Sequence, residues 1–235
     1  MIPPPPGYGR TVCFSPQADL VGGAVVTLLG VDALRHVGER RELPIAFLPL
    51  MLGVHQLVET FVWWGLDGHV SQGIGRAATW IYLLIAFVVL PLYVPAALWA
   101  IEPTTARRRL MLPFLAIGTA VSVTLLVAMI RGPVSASLES HHVAYSIGLA
   151  YGGLIVAGYV IATCGSLLVS GYRHIVLFGL VNLPVIALLA LSARSGFASL
   201  WCAWAAVTST MIVLHLRDRG DRDSPAAAIM APSVG

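Results

Sequence analysis

Three polar side chains that could carry chemistry lie close together in an apolar part of the sequence. The segment from Gly53 reads GVHQLVETFVWWGL, with His55 four residues and Gln56 three residues before Glu59. Residues at these spacings share one side of an α-helix, so an imidazole, an amide and a carboxyl form one polar stripe. Because ionisable groups inside apolar segments are usually functional, the stripe predicts a buried polar site.

Two hypotheses account for the stripe. In one it is a helix-packing network, with Glu59 protonated and donating a hydrogen bond as an amide would. In the other it is a site open to water or to a metal ion. We expect its partners at the same depth, where the sequence offers Asp19, Glu139, His141, His142 and Tyr145. Asp19 could instead complement the N-terminal dipole of its own helix, and the two histidines could lie solvated at the membrane surface.

A metal centre is one version of the second hypothesis. If His55, Glu59 and one of His141 or His142 converge, two imidazoles and a carboxylate match the ligand set of a catalytic zinc ion with an open position. The first set to test is His55, Glu59 and His141. No denser ligand motif supports it, so we predict no resident cofactor and keep zinc as the alternative.

The elements that position this stripe are apolar and long. Of 235 residues, 57% are hydrophobic and only 11% are charged, which excludes a soluble globular protein. A bilayer core of about 30 Å needs about 20 apolar residues per helix. Seven such runs occur, approximately at Pro16 to His36, Leu43 to Leu66, Ala77 to Ile101, Leu110 to Ile130, Val143 to Val169, Ile175 to Ala193 and Phe197 to Leu216. The predicted fold is an all-α, polytopic seven-helix transmembrane bundle in the cell membrane.

The arginines give the orientation and the domain organisation. Under the seven-span model, ten arginines fall on the side of the odd connections and the C-terminal tail, and four on the other side. Since positive residues are retained in the cytoplasm, we predict an N-terminus outside and a C-terminus in the cytoplasm. Residues 1–15 form a proline-rich extracytoplasmic arm, residues 16–216 the transmembrane domain, and residues 217–235 a disordered cytoplasmic tail. No cleaved signal peptide is expected.

The basic residues also narrow the partners and function classes. All 14 are arginine, and the absence of lysine excludes a retinal Schiff base and hence a rhodopsin-like photoreceptor. The arginines lie between apolar runs, so we predict the lipid bilayer as the partner and no nucleic acid. The cluster Arg107, Arg108 and Arg109 could hold anionic headgroups. Seven-span hydrolases of the alkaline ceramidase type need an HxxxH pair in the last span, where this chain has only His215.

The chain resembles a functionally uncharacterised family of bacterial multi-pass proteins. Members begin Met-Cys-Phe-Ser and carry a glutamine and a glutamate three apart, followed by tryptophan, in the second helix. Here the matching residues are Cys13-Phe14-Ser15 together with Gln56, Glu59 and Trp63, and Pro91 and Pro95 resemble the proline pattern of the third span. The chain departs from the pattern by about a dozen residues before Cys13. The resemblance implies no activity, but it groups Cys13, Gln56 and Glu59.

These observations favour three functions in order. The first is proton-linked or small-molecule transport, channel activity or sensing, in which Glu59 changes protonation and His55 relays or tunes it. The second is a zinc-dependent membrane hydrolase with a metal-bound water as nucleophile. The third is a structural membrane scaffold whose polar stripe only fixes helix packing. The sequence leaves the oligomeric state open.

Overall fold

The computed structural model describes residues 15–139, 142–149, 152–191, 205–214 and 216–217, so most of the predicted arm and tail lie outside it. Helix α1 spans Pro16–Arg35, and its first turn is closed by the Ser15 hydroxyl, which accepts from the Ala18 amide at 3.3 Å. Proline at the first helical position suits this start, because its missing N–H would be unpaired there anyway. Helix α2 spans Leu43–Leu66, after a short 3-10 turn at Arg40–Glu42.

Helices α1 and α2 pack with their backbones almost in contact. A Cβ atom on Gly30 would lie 2.3 Å from the Leu50 amide nitrogen, and one on Gly53 would lie 2.4 Å from the Thr27 amide nitrogen. Only glycine leaves room for so close an approach. The spacing brings the first turn of α1 against the last turns of α2, which is where the polar stripe ends.

Helix α3 covers Gln72–Ile101 and changes geometry in the middle. Its α-helical parts, Gln72–Leu83 and Leu90–Ile101, flank a π-helical turn at Leu84–Val89. The Leu90 amide bonds to the Ile85 carbonyl, and Pro91 has no amide hydrogen to offer. The Ala86 carbonyl instead accepts from the Tyr159 hydroxyl at 2.9 Å, so a neighbouring helix satisfies a group that the helix break releases.

A hairpin separates α4 from the next helix. After α4, Thr105–Arg131, the antiparallel strands β1, Ser135–Glu139, and β2, His142–Ser146, pair with Ser135 opposite Ser146. The predicted span from Val143 is therefore wrong at its start, because the first residues of that run form a strand. Gly148 has a φ of +63°, which a regular helix does not accommodate, and the next described helix is given from Gly152.

The remaining described helices are shorter. Helix α5 covers Gly152–Leu168 with a π-helical turn at Ile161–Gly165, α6 covers Arg173–Leu191, and α7 covers Ala205–Leu214. Four helices in the described ranges, α1, the Arg40–Leu66 segment with α2, α3 and α4, are long and apolar enough to cross a membrane. The apolar parts of α5, α6 and α7 are shorter but lie within the last three predicted runs. The structure thus supports four candidate spans and a mainly helical fold, and it does not extend the count to seven.

At the end of the bundle opposite the hairpin, polar contacts join the α3–α4 turn to the α5–α6 turn. Glu102, which follows α3 and is fully buried, accepts from the Ser170 hydroxyl at 2.6 Å and from the Gly171 amide at 2.8 Å. The Arg107 guanidinium donates to the Val169 carbonyl at 3.0 Å. These bonds fix the α3–α4 turn to the α5–α6 turn, and the core between the two ends is built from buried Leu, Ile, Val, Ala and Met side chains.

Candidate functional site

The polar stripe of α2 is buried along its whole length. His55 and Gln56 are each 1% exposed and Glu59 is 6% exposed. Helix α2 is unbroken from Leu43 to Leu66. Residues three and four apart in such a helix lie on the same side, so the three side chains share one side of α2. The stripe faces protein, not lipid.

The Glu59 carboxyl is bonded to one tyrosine and lies close to a second. The Tyr145 hydroxyl, carried by β2, donates to Glu59 Oε1 at 3.2 Å. The Tyr82 side chain, carried by α3, lies near enough to interact with the carboxyl. The Asp19 carboxyl is also close enough to interact with it electrostatically. Three elements distant in sequence thus converge on one carboxyl.

Asp19 belongs to the same cluster. It lies in the first turn of α1 but is only 4% exposed, and its Oδ2 accepts from the Trp63 indole N–H at 2.9 Å. A residue acting only on the helix dipole would need no such partner from α2. Asp19 therefore packs against α2, and it brings a second acidic group beside Glu59.

His55 begins a stack of three rings. Its ring lies 4.0 Å from that of Tyr82, and the Tyr82 ring lies 4.7 Å from that of Tyr145, both pairs tilted by 17°. The Nε2 of His55 lies 3.2 Å from the Tyr82 carbonyl oxygen. Since a carbonyl can only accept, Nε2 carries the hydrogen, and in the neutral ring Nδ1 is an acceptor. Among the described residues Nδ1 has no partner.

Gln56 adds further unused hydrogen-bonding capacity. Both its amide nitrogen and its amide oxygen are buried with no partner in the described part of the chain, and so is the Thr27 hydroxyl of α1. Buried polar groups are nearly always satisfied, because an orphaned one costs about 1–3 kcal/mol. The interior beside the two carboxyls therefore contains hydrogen-bonding groups that no described residue satisfies.

The structure describes the side chains of only two of the predicted zinc ligands. His55 and Glu59 are buried near each other on α2, whereas His141 lies outside the described residues, as does the side chain of His142. Within the residues that are described, no group of three or more His, Cys, Asp or Glu side chains could hold a metal ion. The group that meets Glu59 from the hairpin is the Tyr145 hydroxyl, a poor zinc ligand beside imidazole or carboxylate.

A long cavity begins at this cluster. It has a volume of about 740 Å³ and is lined at one end by His55, Tyr82 and Tyr145. From there it continues between α2, α3, α5, α6 and α7 over mostly apolar side chains. Tyr145 lines this cavity, and its hydroxyl bonds to the Glu59 carboxyl, which links the two.

Comparison with known proteins identifies a family. A family model described as a family of unknown function, DUF6629, matches residues 12–228. The chain belongs to this family. No curated protein matches the chain. No solved structure matches it either.

The family match covers every element of the site, from Asp19 in α1 to Tyr145 in β2. Sequence reasoning found the α2 stripe and Asp19 but assigned no chemistry to Trp63. Trp63 is only 8% exposed, and its position four residues after Glu59 was the available signal. Tyr82 gave no local signal, because its role depends on contacts 23 and 27 residues away along the chain with Glu59 and His55.

Proposed function

We propose that this protein is a multi-pass cell-membrane protein that transports or senses a small molecule in step with protonation of its buried acidic cluster. The observation that carries the proposal is the position of Tyr145, which lines a cavity of about 740 Å³ and whose hydroxyl donates to the Glu59 carboxyl. A ligand that moves the ring also moves the hydrogen bond to Glu59.

The acidic cluster suits proton exchange. Two carboxyl groups held close together in a low dielectric repel each other when both are ionised, so they favour sharing a proton. The described donor to Glu59, the Tyr145 hydroxyl, is a neutral group. Among the described residues, no arginine forms an ion pair with Glu59. Uptake of one proton therefore changes the charge of the site directly.

The proposed topology has seven spans, with the hairpin end of the bundle outside and the α3–α4 turn in the cytoplasm. Three shorter apolar helices within the last three predicted runs support it, as does the ten-to-four distribution of arginines. Anionic headgroups would then meet Arg109, which is exposed, more readily than Arg107 or Arg108, which bond to backbone carbonyls. Membrane-impermeant thiol labelling tests this: Ser71→Cys reacts from outside and Gly38→Cys only after the membrane is opened.

Proton flux in proteoliposomes tests the function. Vesicles loaded with the pH dye pyranine receive a potassium diffusion potential through valinomycin, and the internal pH is followed. We expect the wild-type protein to admit protons and Glu59→Gln, which keeps the shape and removes the titratable group, to lose that flux. Glu39→Gln is the matched control, because Glu39 is exposed, pairs with Arg41 and lies at the other end of α2.

Each of two other outcomes would refute the proposal and support a different function. Stoichiometric zinc in the purified protein, lost in Glu59→Ala together with hydrolysis of a lipid ester or amide, would establish the hydrolase. Flux at the level of empty vesicles for the wild type, with Glu59→Leu more stable than the wild type, would leave the scaffold. A well-packed apolar side chain often improves on a buried ionisable group that has no functional task.

A further inference from the structure

A second pocket lies at the hairpin end of the bundle. It has a volume of about 460 Å³, and its walls are the end of α2, the first turns of α3 and the start of β1. Gly65 and Gly75 belong to these walls, and a Cβ on Gly65 would lie 2.5 Å from the Gly75 Cα, so α2 and α3 touch there through bare backbone. The pocket shares no described lining residue with the cavity that Tyr145 lines.

The charge of this pocket is positive. Arg76 is the one charged residue in its described lining, and its side chain is exposed. It forms no ion pair with an acidic side chain in the part of the chain that the structure describes. Gln72 and Ser135, which also line the pocket and are exposed, have further hydrogen-bond donors. Since a guanidinium binds the oxygens of phosphate or carboxylate through paired N–H groups, the pocket suits an anion.

The outer side of α3 indicates where the anion comes from. Trp80 and Leu84 follow Arg76 by four and eight residues, so the three side chains form one row along the helix. All three are exposed, Trp80 by 42% and Leu84 by 41%, and the row is about 12 Å long. A row from a cation through tryptophan to leucine matches the change from headgroups to hydrocarbon in a bilayer. A soluble anion uses only the first residue of this row, whereas a phospholipid uses all three.

We propose that the pocket binds the phosphate of an anionic phospholipid, with Arg76 paired to the phosphate oxygens and an acyl chain lying along Trp80 and Leu84. A zwitterionic headgroup would bring its ammonium group beside Arg76, with no carboxylate in the described lining to receive it. The site goes beyond the proposed function, because it involves neither Glu59 nor the large cavity. Only the leaflet depends on the proposed topology, which places the hairpin end and hence this lipid outside.

Binding of defined lipids to the full chain tests the proposal. Native mass spectrometry of protein released from detergent micelles counts the lipids retained, with dioleoyl phosphatidylglycerol and dioleoyl phosphatidylcholine as probes of equal chain length. Arg76→Gln should weaken the tightest-bound phosphatidylglycerol about fivefold, the factor that corresponds to about 1 kcal/mol for one arginine at an anionic surface. It should leave phosphatidylcholine unchanged. Arg131→Gln is the matched control, because Arg131 is exposed at the same end of the bundle and does not line the pocket.

The contributions of chain and phosphate are separated by thermal unfolding. A ligand that binds only the folded state raises the unfolding midpoint. Phosphatidylglycerol should raise the midpoint of the wild type more than that of Arg76→Gln, while glycerol 3-phosphate and dioleoylglycerol at the same concentration should raise it less. Trp80→Ala should also reduce the rise, because it removes a contact with the chain. Arg76→Lys keeps the charge but loses the paired donors, so its rise should be intermediate.

Three results would overturn the proposal. One is equal affinity of the wild type and Arg76→Gln for phosphatidylglycerol. Another is an equal loss of affinity in Arg131→Gln, which would show a general effect of charge at this surface. The third is a rise in the midpoint with glycerol 3-phosphate as large as with phosphatidylglycerol, which would assign the pocket to a free anion.

Discussion

Replacing Gly53 by alanine should part the two helices that carry the acidic cluster. The added Cβ would lie 2.4 Å from both the amide nitrogen and the hydroxyl oxygen of Thr27 and 2.7 Å from its Cα. Ordinary van der Waals contact begins near 3.4 Å, so α1 must retreat by about 1 Å. Alanine favours a helix over glycine by about 1 kcal/mol, but overpacking a tight interface costs about 1–3 kcal/mol and separating the helices adds lost contacts.

We therefore expect Gly53→Ala to lower the free energy of unfolding by about 2 kcal/mol, measured by denaturation in mixed micelles with a graded fraction of SDS. Thr27→Ala should not rescue it, because the backbone of Thr27 obstructs the new methyl group as closely as its hydroxyl does. Gly73→Ala is the control: the nearest atom to its Cβ is 3.9 Å away, so only the helix preference remains and stability should rise slightly.

Gly165 provides a second test, in which a side chain and not backbone obstructs the added methyl group. A Cβ on Gly165 would lie 2.3 Å from Phe114 Cε1, and its three closest contacts are all atoms of that ring. Gly165→Ala should therefore destabilise the protein, and Phe114→Leu in the same chain should recover part of the loss. If Gly53→Ala were as stable as the wild type, or if Thr27→Ala rescued it as Phe114→Leu rescues Gly165→Ala, the backbone contact between α1 and α2 would be refuted.

Three further outcomes follow from single contacts. Ser170→Ala should cost about 1.5–3 kcal/mol of unfolding free energy, because it removes a 2.6 Å hydrogen bond to the buried Glu102 carboxyl, and SDS denaturation measures the loss. Trp63→Phe keeps a large ring but takes the indole donor from Asp19, so we expect a loss of about 1–3 kcal/mol and a changed pH dependence of proton flux. Arg217→Ala should change stability by less than about 1 kcal/mol, and high salt should erase the difference, because its ion pair with Asp32 is largely solvent-exposed.

Local periodicity was sufficient to locate the core of the candidate site. The spacing of His55, Gln56 and Glu59 within an apolar run predicted a shared face, and the structure buries all three. The start of α1 was also readable, since Ser15 and Pro16 form a cap and a first helical residue. Both features depend on residues only a few positions apart. Over that range, helix geometry tells which side chains lie next to each other.

The contacts that complete the site could not be predicted from the spacing of nearby residues. Tyr145 lies 86 residues from Glu59, and the residues around it read as the beginning of an apolar span. What separates a strand from a helix there is pairing with residues 135–139, a tertiary effect that overrides the local apolar pattern. The same limit explains why this loop offered several candidates for Glu59, His141, His142 and Tyr145 among them, and why only the structure identifies the Tyr145 hydroxyl as a partner of the carboxyl.

The hairpin and the cavity depend on each other. Backbone outside a helix is tolerated near a membrane interior only where its polar groups are paired and where it faces protein or a cavity. Here β1 and β2 pair with each other, and Val143 and Tyr145 line the end of the cavity. A continuous helix in place of β2 would space these side chains about 100° apart per residue instead of alternating them toward one face. The helix break thus gives Tyr145 its simultaneous contact with the cavity and with Glu59, which is the contact that any coupling between ligand and proton requires.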